Sequence, residues 1–217
     1  MEAFFDAWIA GLEELQNELL SAPRDRPDVL RPLVARALAH HQDYYHQKAR
    51  LAARDVLRVF SPRWLTPFER SFLWIAGWKP SIAFRLLRSL DDDDDDGDAA
   101  HSPEQRRAVA VLQRETASAE RALSEDMARA QEAMALPQVL AAARGVRNGE
   151  ARAEAAEMVV RSLELLLASA DALRARTVTR LVDILTPAQT VDFLLAAAQL
   201  RLRVHRWGMR RDGRSSD

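Results

Sequence analysis

The stretch Trp64-Leu-Thr-Pro-Phe-Glu-Arg-Ser-Phe-Leu-Trp-Ile-Ala-Gly-Trp-Lys-Pro-Ser81 decides how this chain folds, because it holds both a helix start and a helix break. Thr66 can cap a helix, the proline after it suits the first helical position, and Glu69 completes a capping box. Gly77 has low helix propensity, and Pro80 disfavours helical geometry at the residue before it. The stretch therefore predicts a short helix that starts at position 67 and breaks near Gly77.

The same start signal occurs twice more, as Ser102-Pro-Glu-Gln105 and as Thr186-Pro-Ala-Gln189. In each case a Ser or Thr directly precedes a proline. Two positions after the proline comes a glutamine, whose side chain can accept a hydrogen bond from the N–H of the capping residue. The three signals together predict helix starts near positions 67, 103 and 187.

Between these signals, apolar residues recur every three or four positions, which is the period of an amphipathic helix. The first segment shows the pattern with Phe5, Trp8, Leu12, Leu15 and Leu19. The pattern also predicts helices over about 28–60, 81–90, 103–135 and 150–184, and a last helix from 187. No segment shows the alternation of a strand. We therefore expect an all-α fold, a bundle of long antiparallel helices with short loops, in a single domain over residues 1–217.

Three segments are predicted to lie outside the helices. The run Asp91–Asp96 repels itself and predicts a solvated acidic loop over 91–100. Pro137 and two glycines predict a second loop over 136–149. The charged end, 211–217, predicts a disordered tail.

Composition excludes several classes of function. The chain has 31 Lys and Arg against 32 Asp and Glu, so its net charge of −1 provides no global attraction to nucleic acid. It has no Cys, and it has neither an apolar run long enough for a membrane span nor a secretory signal pattern. We expect a protein of the nucleus and cytoplasm.

Catalytic and metal-binding patterns are absent from the sequence. His41 and His46 are five residues apart, so they do not share the helix face that an i, i+4 metal site needs. No Ser lies in a Gly-x-Ser-x-Gly elbow, and no glycine-rich phosphate loop occurs. We therefore expect no metal site and no enzymatic activity.

Three blocks resemble one known family. They are His41-Gln-Asp-Tyr-Tyr-His-Gln-Lys48 with Ala52–Val56, Trp64–Glu69 with Phe72–Ser81, and Ile184–Gln189 with Val204–Gly208. Together they resemble the Delay of Germination domain, which controls seed dormancy in plants and also forms the C-terminal half of TGA-type bZIP transcription factors. The likeness covers nearly the whole chain. One departure is Ala76, where relatives commonly carry glycine.

The resemblance implies a regulatory module that binds proteins in seed dormancy and abscisic-acid signalling, with type 2C protein phosphatases as partners and a homodimer as a further possibility. A second hypothesis is a transcriptional cofactor that pairs with TGA-type bZIP factors. Because no basic region and zipper precede the domain in this sequence, we expect no direct DNA binding from this chain. A third hypothesis is a sensor with haem or a lipid in the bundle.

Particular residues carry these hypotheses. Trp64, Trp78 and Lys79 are candidates for partner contacts, since aromatic anchors are enriched at interfaces, whereas Trp74 suits the core. His205 is a candidate haem ligand: it shares a helix face with Met209, and the family it resembles is associated with haem through C-terminal histidines. The alternative is a packed histidine near a helix end. The arginines of segment 199–214 suit calmodulin, an acidic partner, an anionic membrane, or only the helix dipole.

Overall fold

The computed structural model describes residues 1–92, 101–134 and 149–213, and within these ranges the chain is almost entirely helical, without a strand. The helices are α1 (Glu2–Ser21), α2 (Pro27–Ala52), α3 (Val56–Phe60), α4 (Pro67–Arg70), α5 (Ile82–Asp92), α6 (Pro103–Met134), α7 (Gly149–Ile184) and α8 (Pro187–Arg211). The all-α prediction is confirmed.

The three predicted helix starts are confirmed at Pro67, Pro103 and Pro187. At α4 and α8 the capping box is complete: the threonine oxygen accepts from the third N–H, and the Glu69 or Gln189 side chain accepts from the cap N–H. These local contacts are made without help from distant residues, which is why the sequence alone located them.

The single helix predicted over 28–60 is wrong. The chain leaves the helix after Ala52 and starts α3 at Val56, because the Asp55 carboxylate accepts hydrogen bonds from the N–H groups of Leu57 and Arg58. An aspartate that caps a new helix interrupts the old one, although the apolar period continues across the break.

The segments predicted as loops begin later than expected where they are described. Helix α5 includes Asp91 and Asp92, so the acidic run starts inside a helix. Helix α8 likewise includes Arg211, the first residue of the predicted tail. The rest of the acidic run, all but the last residue of the loop over 136–149, and the last four residues of the tail lie outside the described residues.

Helix α8 lies at the centre of the packing, in contact with α1, α2, α4 and α5, while α6 and α7 pack along each other beside it. The apolar face predicted for α1 is buried in full. One core cluster joins α1, α2, α5, α7 and α8 through Leu19, Leu30, Phe84, Leu181 and Phe193. A second joins α1 and α8 to the segment before α4. The segment between α4 and α5 contacts α2 through Lys48 and α7 through Arg174.

Candidate functional site

The segment between α4 and α5 contains a tight turn, residues 74–78, which we call the Trp turn. The N–H of Trp74 donates to the Gly77 carbonyl over 2.7 Å, and the N–H of Gly77 donates to the Trp74 carbonyl over 3.2 Å. Ile75 and Ala76 have φ values of 43° and 53°, in the left-handed region that a Cβ disfavours. Such a turn persists only where its surroundings hold it.

The conformation of Ala76 yields a prediction about stability. Glycine adopts a positive φ without the Cβ penalty, so we expect Ala76→Gly to raise the free energy of unfolding by about 0.5 kcal/mol. The matched control is Ala49→Gly at an exposed position of α2, which should lower it by about 1 kcal/mol. Urea unfolding followed by circular dichroism measures both. Equal losses in the two variants would show that Ala76 carries no backbone strain.

Arg174 of α7 is buried against the Trp turn and forms hydrogen bonds with it. It is 4% exposed, and its Nε donates to the Trp78 carbonyl over 2.8 Å. Its Nη2 donates to the carbonyl of Trp74 and, over 3.0 Å, to that of Ile75. One guanidinium therefore donates hydrogen bonds to three carbonyls of the turn, which ties the turn to α7.

Lys48 of α2 reaches the same turn from the other side. It is 0% exposed, and its Nζ lies 2.7 Å from the Asp171 carboxylate and 3.2 Å from the Ala76 carbonyl. Asp171 also accepts from Arg174 over 2.5 Å. Burial lowers the pKa of Lys48 to about 8, although the Asp171 charge opposes the shift. Near neutral pH the cluster therefore carries two positive charges on Lys48 and Arg174 against the single carboxylate of Asp171.

Gly77 is required by this arrangement because Arg174 occupies the space of a side chain. A Cβ at Gly77 would lie 2.7 Å from the Cζ of Arg174, well inside van der Waals contact. Gly77 thus admits the guanidinium to the turn, but it does not end the helix: α4 already ends at Arg70, so the break predicted near Gly77 is placed too late.

A cavity of about 190 Å³ lies beneath the Trp turn. Its walls are mainly apolar and aromatic, and its polar lining includes Lys48, Arg174, Arg201 and the phenol of Tyr45. Burial raises the pKa of Tyr45 to about 12, so this phenol stays neutral and able to donate at physiological pH. Apolar walls with a few cationic groups suit a small amphipathic anion.

A second buried ionic cluster ties α4 to α8. The Glu69 carboxylate is 1% exposed and lies 2.9 Å from Arg201 and 3.1 Å from the Nδ1 of His205. Burial would raise the pKa of Glu69, but the hydrogen bond to His205 and the charge of Arg201 outweigh it and lower the pKa to about 2. The carboxylate is therefore ionised at any physiological pH, and it fixes the position of the His205 ring.

The four residues singled out from the sequence lie in different places. Trp78 is half-buried and lines the cavity together with Lys79, whose side chain is 45% exposed and lies 3.6 Å from Glu120. Trp64 is only 8% exposed in the core, so a partner contact there does not fit its burial. His205 contacts Glu69 and is not among the residues that line the cavity, so haem ligation by His205 stays a prediction.

Sequence reasoning missed the residues that hold the turn. Lys48 and Arg174 are separated from the turn by 28 and about 100 positions. Asp171 and Arg174 resemble an ordinary surface pair at i, i+3, and only their position on the apolar side of α7, next to the buried Leu173 and Thr177, signals burial.

The described residues contain neither a candidate metal site nor a candidate membrane span. No group of three or more His, Asp or Glu side chains there is placed to hold a metal ion. Within residues 1–92, 101–134 and 149–213, no helix is both long enough and apolar enough to span a membrane.

Comparison with known proteins gives one consistent result. A family model described as seed dormancy control matches residues 11–89. Protein DOG1-like 4 of Arabidopsis thaliana is 33% identical over 96% of this chain and 91% of its own length. Protein RESPONSE TO ABA AND SALT 1 of the same plant is 31% identical over 93% and 91%. Transcription factor TGA2.3 of Oryza sativa subsp. japonica is 31% identical over 91% of this chain and 60% of the factor.

Proposed function

This chain belongs to the seed dormancy control family of plants, and from that membership we propose that it is a non-enzymatic module that regulates dormancy and abscisic-acid signalling by binding other proteins. The likeness to a protein named for its response to abscisic acid and salt supports the signalling part. The likeness to TGA transcription factors supports a place in the nucleus.

The observation that carries this proposal is the fixed geometry of the Trp turn. Arg174 and Lys48 bind four of its carbonyls, while the side chains of Trp78 and Lys79 remain partly open to solvent at the edge of the cavity. An aromatic ring and a cation held in place before binding lose little conformational entropy when a partner docks. The turn therefore suits recognition better than chemistry.

The proposed partners are type 2C protein phosphatases, which the module would inhibit or redirect by covering part of their surface. The alternative partners are TGA-type bZIP factors, joined through pairing of like domains, and the same pairing would also produce a homodimer. The relation to TGA2.3 supports this alternative. Both hypotheses place the function on a helical surface, and neither requires a catalytic residue.

A binding assay with purified proteins tests the proposal. The intact chain is immobilised and offered a type 2C phosphatase and a TGA-type bZIP factor, and Trp78→Ala is compared with Leu57→Ala, an exposed residue of α3. We expect phosphatase binding that falls at least about tenfold, or about 1.4 kcal/mol, only in Trp78→Ala. If the chain captures only the bZIP factor, its function is pairing with a transcription factor rather than phosphatase binding. Capture of neither protein would refute the proposal.

The cavity favours a second candidate function, the sensing of a lipid or haem. Its apolar walls and its four cationic residues, Lys48, Lys79, Arg174 and Arg201, suit a lipid with an acidic head group. Native mass spectrometry after incubation with a long-chain carboxylic acid tests the lipid version, with Lys48→Met as the variant expected to lose the complex. A haem titration tests the version in which His205 is the ligand: a Soret shift that His205→Ala does not alter would exclude that ligand.

A further inference from the structure

Four aromatic side chains form a continuous row on the surface beside the Trp turn. In spatial order they are Trp207, Phe68, Phe72 and Trp78, and we call them the aromatic strip. The ring of Phe68 lies 6.5 Å from that of Trp207 and 5.1 Å from that of Phe72, which stacks on Trp78 at 6.4 Å. Phe72 is 45% exposed and Trp207 is 48% exposed. Exposed large apolar side chains that lie in contact with one another are typical of an interaction surface.

Exposed arginines of α8 flank this strip. Arg203, Arg210 and Arg211 lie at positions i−4, i+3 and i+4 from Trp207, so all three share its helix face. The guanidinium of Arg211 lies over the Phe68 ring, 5.7 Å from its centre. Among the described side chains, none of these three arginines takes part in an ion pair.

The other two arginines of α8 do form ion pairs. Arg201 pairs with the buried Glu69, and Arg206 pairs with Glu13 of α1. Asp212 lies near the strip, and its carboxylate accepts from the N–H of Phe68 over 3.4 Å at the start of α4. One partly engaged carboxylate against three arginines leaves a surplus of positive charge beside the strip.

We infer that the aromatic strip and its three arginines bind an acidic amphipathic helix of a partner protein. The ring-to-ring steps of 5.1–6.5 Å are close to the pitch of an α-helix, about 5.4 Å, so apolar side chains one turn apart on a docked helix would meet successive rings. Acidic residues beside those anchors would meet the arginines. This inference rests on the proposed function, since it names the surface and the class of partner.

Charge distribution favours an acidic peptide over nucleic acid. The whole chain has a net charge of −1, so it provides no overall attraction to a phosphate backbone. The strip ends at the Trp turn, where Lys79 already has Glu120 as a partner. A short ligand with both apolar and acidic side chains uses all of these features.

Fluorescence anisotropy with the intact chain tests the inference. The probe is a labelled synthetic helix of about 15 residues, about 22 Å long, with Leu at i, i+4, i+7 and i+11 and Glu at the flanking positions. One control peptide has Gln in place of each Glu, and another has Ser in place of each Leu. We expect saturable binding of the probe, with at least tenfold weaker binding of each control. Equal binding of the three peptides, or binding of none, would overturn the inference.

Surface variants locate the site. Phe72→Ser, Trp207→Ser and the double charge reversal Arg203→Glu with Arg210→Glu should each weaken binding at least tenfold. The matched controls are Leu57→Ser on α3 and Arg180→Glu on α7, both exposed, and they should bind as the unmodified chain does. A probe with Lys in place of Glu should bind the charge-reversed variant better than the unmodified chain, an exchange that a merely unfolded variant would not show.

Other ligands give distinguishable results. Single-stranded DNA of 15 nucleotides and vesicles with one third phosphatidylserine are the alternative probes. If either of them binds at the strip and the acidic helix does not, the inference is overturned in favour of a nucleic-acid or membrane surface. If the unmodified chain captures a phosphatase or a bZIP factor and the strip variants still do, the strip inference fails while the proposed function stands. If the probe binds but no partner protein is captured, the proposed function fails instead.

Discussion

Asp171→Ala is expected to lower the free energy of unfolding by about 3–5 kcal/mol, because it leaves buried cations without their carboxylate. The Lys48 ammonium, which is 1% exposed in its side chain, loses its contact of 2.7 Å, and Arg174 loses one of 2.5 Å. Since small domains are stable by about 5–15 kcal/mol, the loss is a large fraction of the total. Urea unfolding followed by circular dichroism measures it.

The matched control for this prediction is Asp126→Ala. Asp126 pairs with Arg129 at i, i+3 on the exposed face of α6, and an exposed pair contributes about 0.5 kcal/mol or less. Lys48→Met is the complementary variant, since it removes the buried charge and leaves Asp171 paired with Arg174, so we expect a much smaller cost. A loss for Asp171→Ala no greater than that for Asp126→Ala would contradict the view that this cluster holds the fold.

The buried lysine also sets a pH dependence. The folded pKa of Lys48 is about 8, below its usual 10.5, so between these values the unfolded chain binds more protons and a rise in pH stabilises the fold. Burial raises the pKa values of Tyr44 and Tyr45 above their usual 10.0. Above about pH 10 the folded chain therefore binds more protons at these tyrosines than the unfolded chain does, so they lower the stability of the fold as the pH rises further. Stability should therefore rise from about pH 8 towards pH 10, and the rise should vanish in Lys48→Met.

Features set by neighbours along the chain were predictable from the sequence, and those set by distant contacts were not. The starts of α4, α6 and α8 follow from capping residues within four positions of one another. The break at Asp55 was also local, but the apolar period across it outweighed a lone aspartate in the prediction. The positive φ of Ala76 had no signal in the residue itself, because alanine disfavours the left-handed region.

The candidate site divides in the same way. Trp78 and Lys79 could be singled out because they follow the break predicted at Gly77 and because aromatic anchors are enriched at interfaces. The partners that position them come from α2 and α7, at separations that no local pattern reports. The aromatic strip was out of reach for the same reason, because Trp207 meets Phe68 only after α8 has packed on α4.

Gly208 shows how closely α8 approaches α4, and it supplies the second large effect. A Cβ at this position would lie 3.1 Å from the Cβ of Thr66 and nearer still to its Oγ1. Thr66 is 1% exposed, and its Oγ1 accepts from the N–H of Glu69 over 3.1 Å to cap α4. The hydroxyl cannot move away without losing the cap, and the backbone of α8 cannot move away without opening the ion pairs of Glu69.

Gly208→Ala should therefore destabilise the chain by about 3 kcal/mol, the cost of overpacking together with a damaged cap. The sign of this change in the free energy of unfolding is informative, since Gly→Ala within a helix ordinarily stabilises by about 1 kcal/mol. Thr66→Ala removes the obstructing oxygen at a cost of about 1 kcal/mol, and in that background Gly208→Ala should cost far less. A double-mutant cycle in urea measures the coupling. Additive losses would show that the two helices separate freely at this contact, whereas strong coupling would show that the cap of α4 and the end of α8 are one packed unit beneath the aromatic strip.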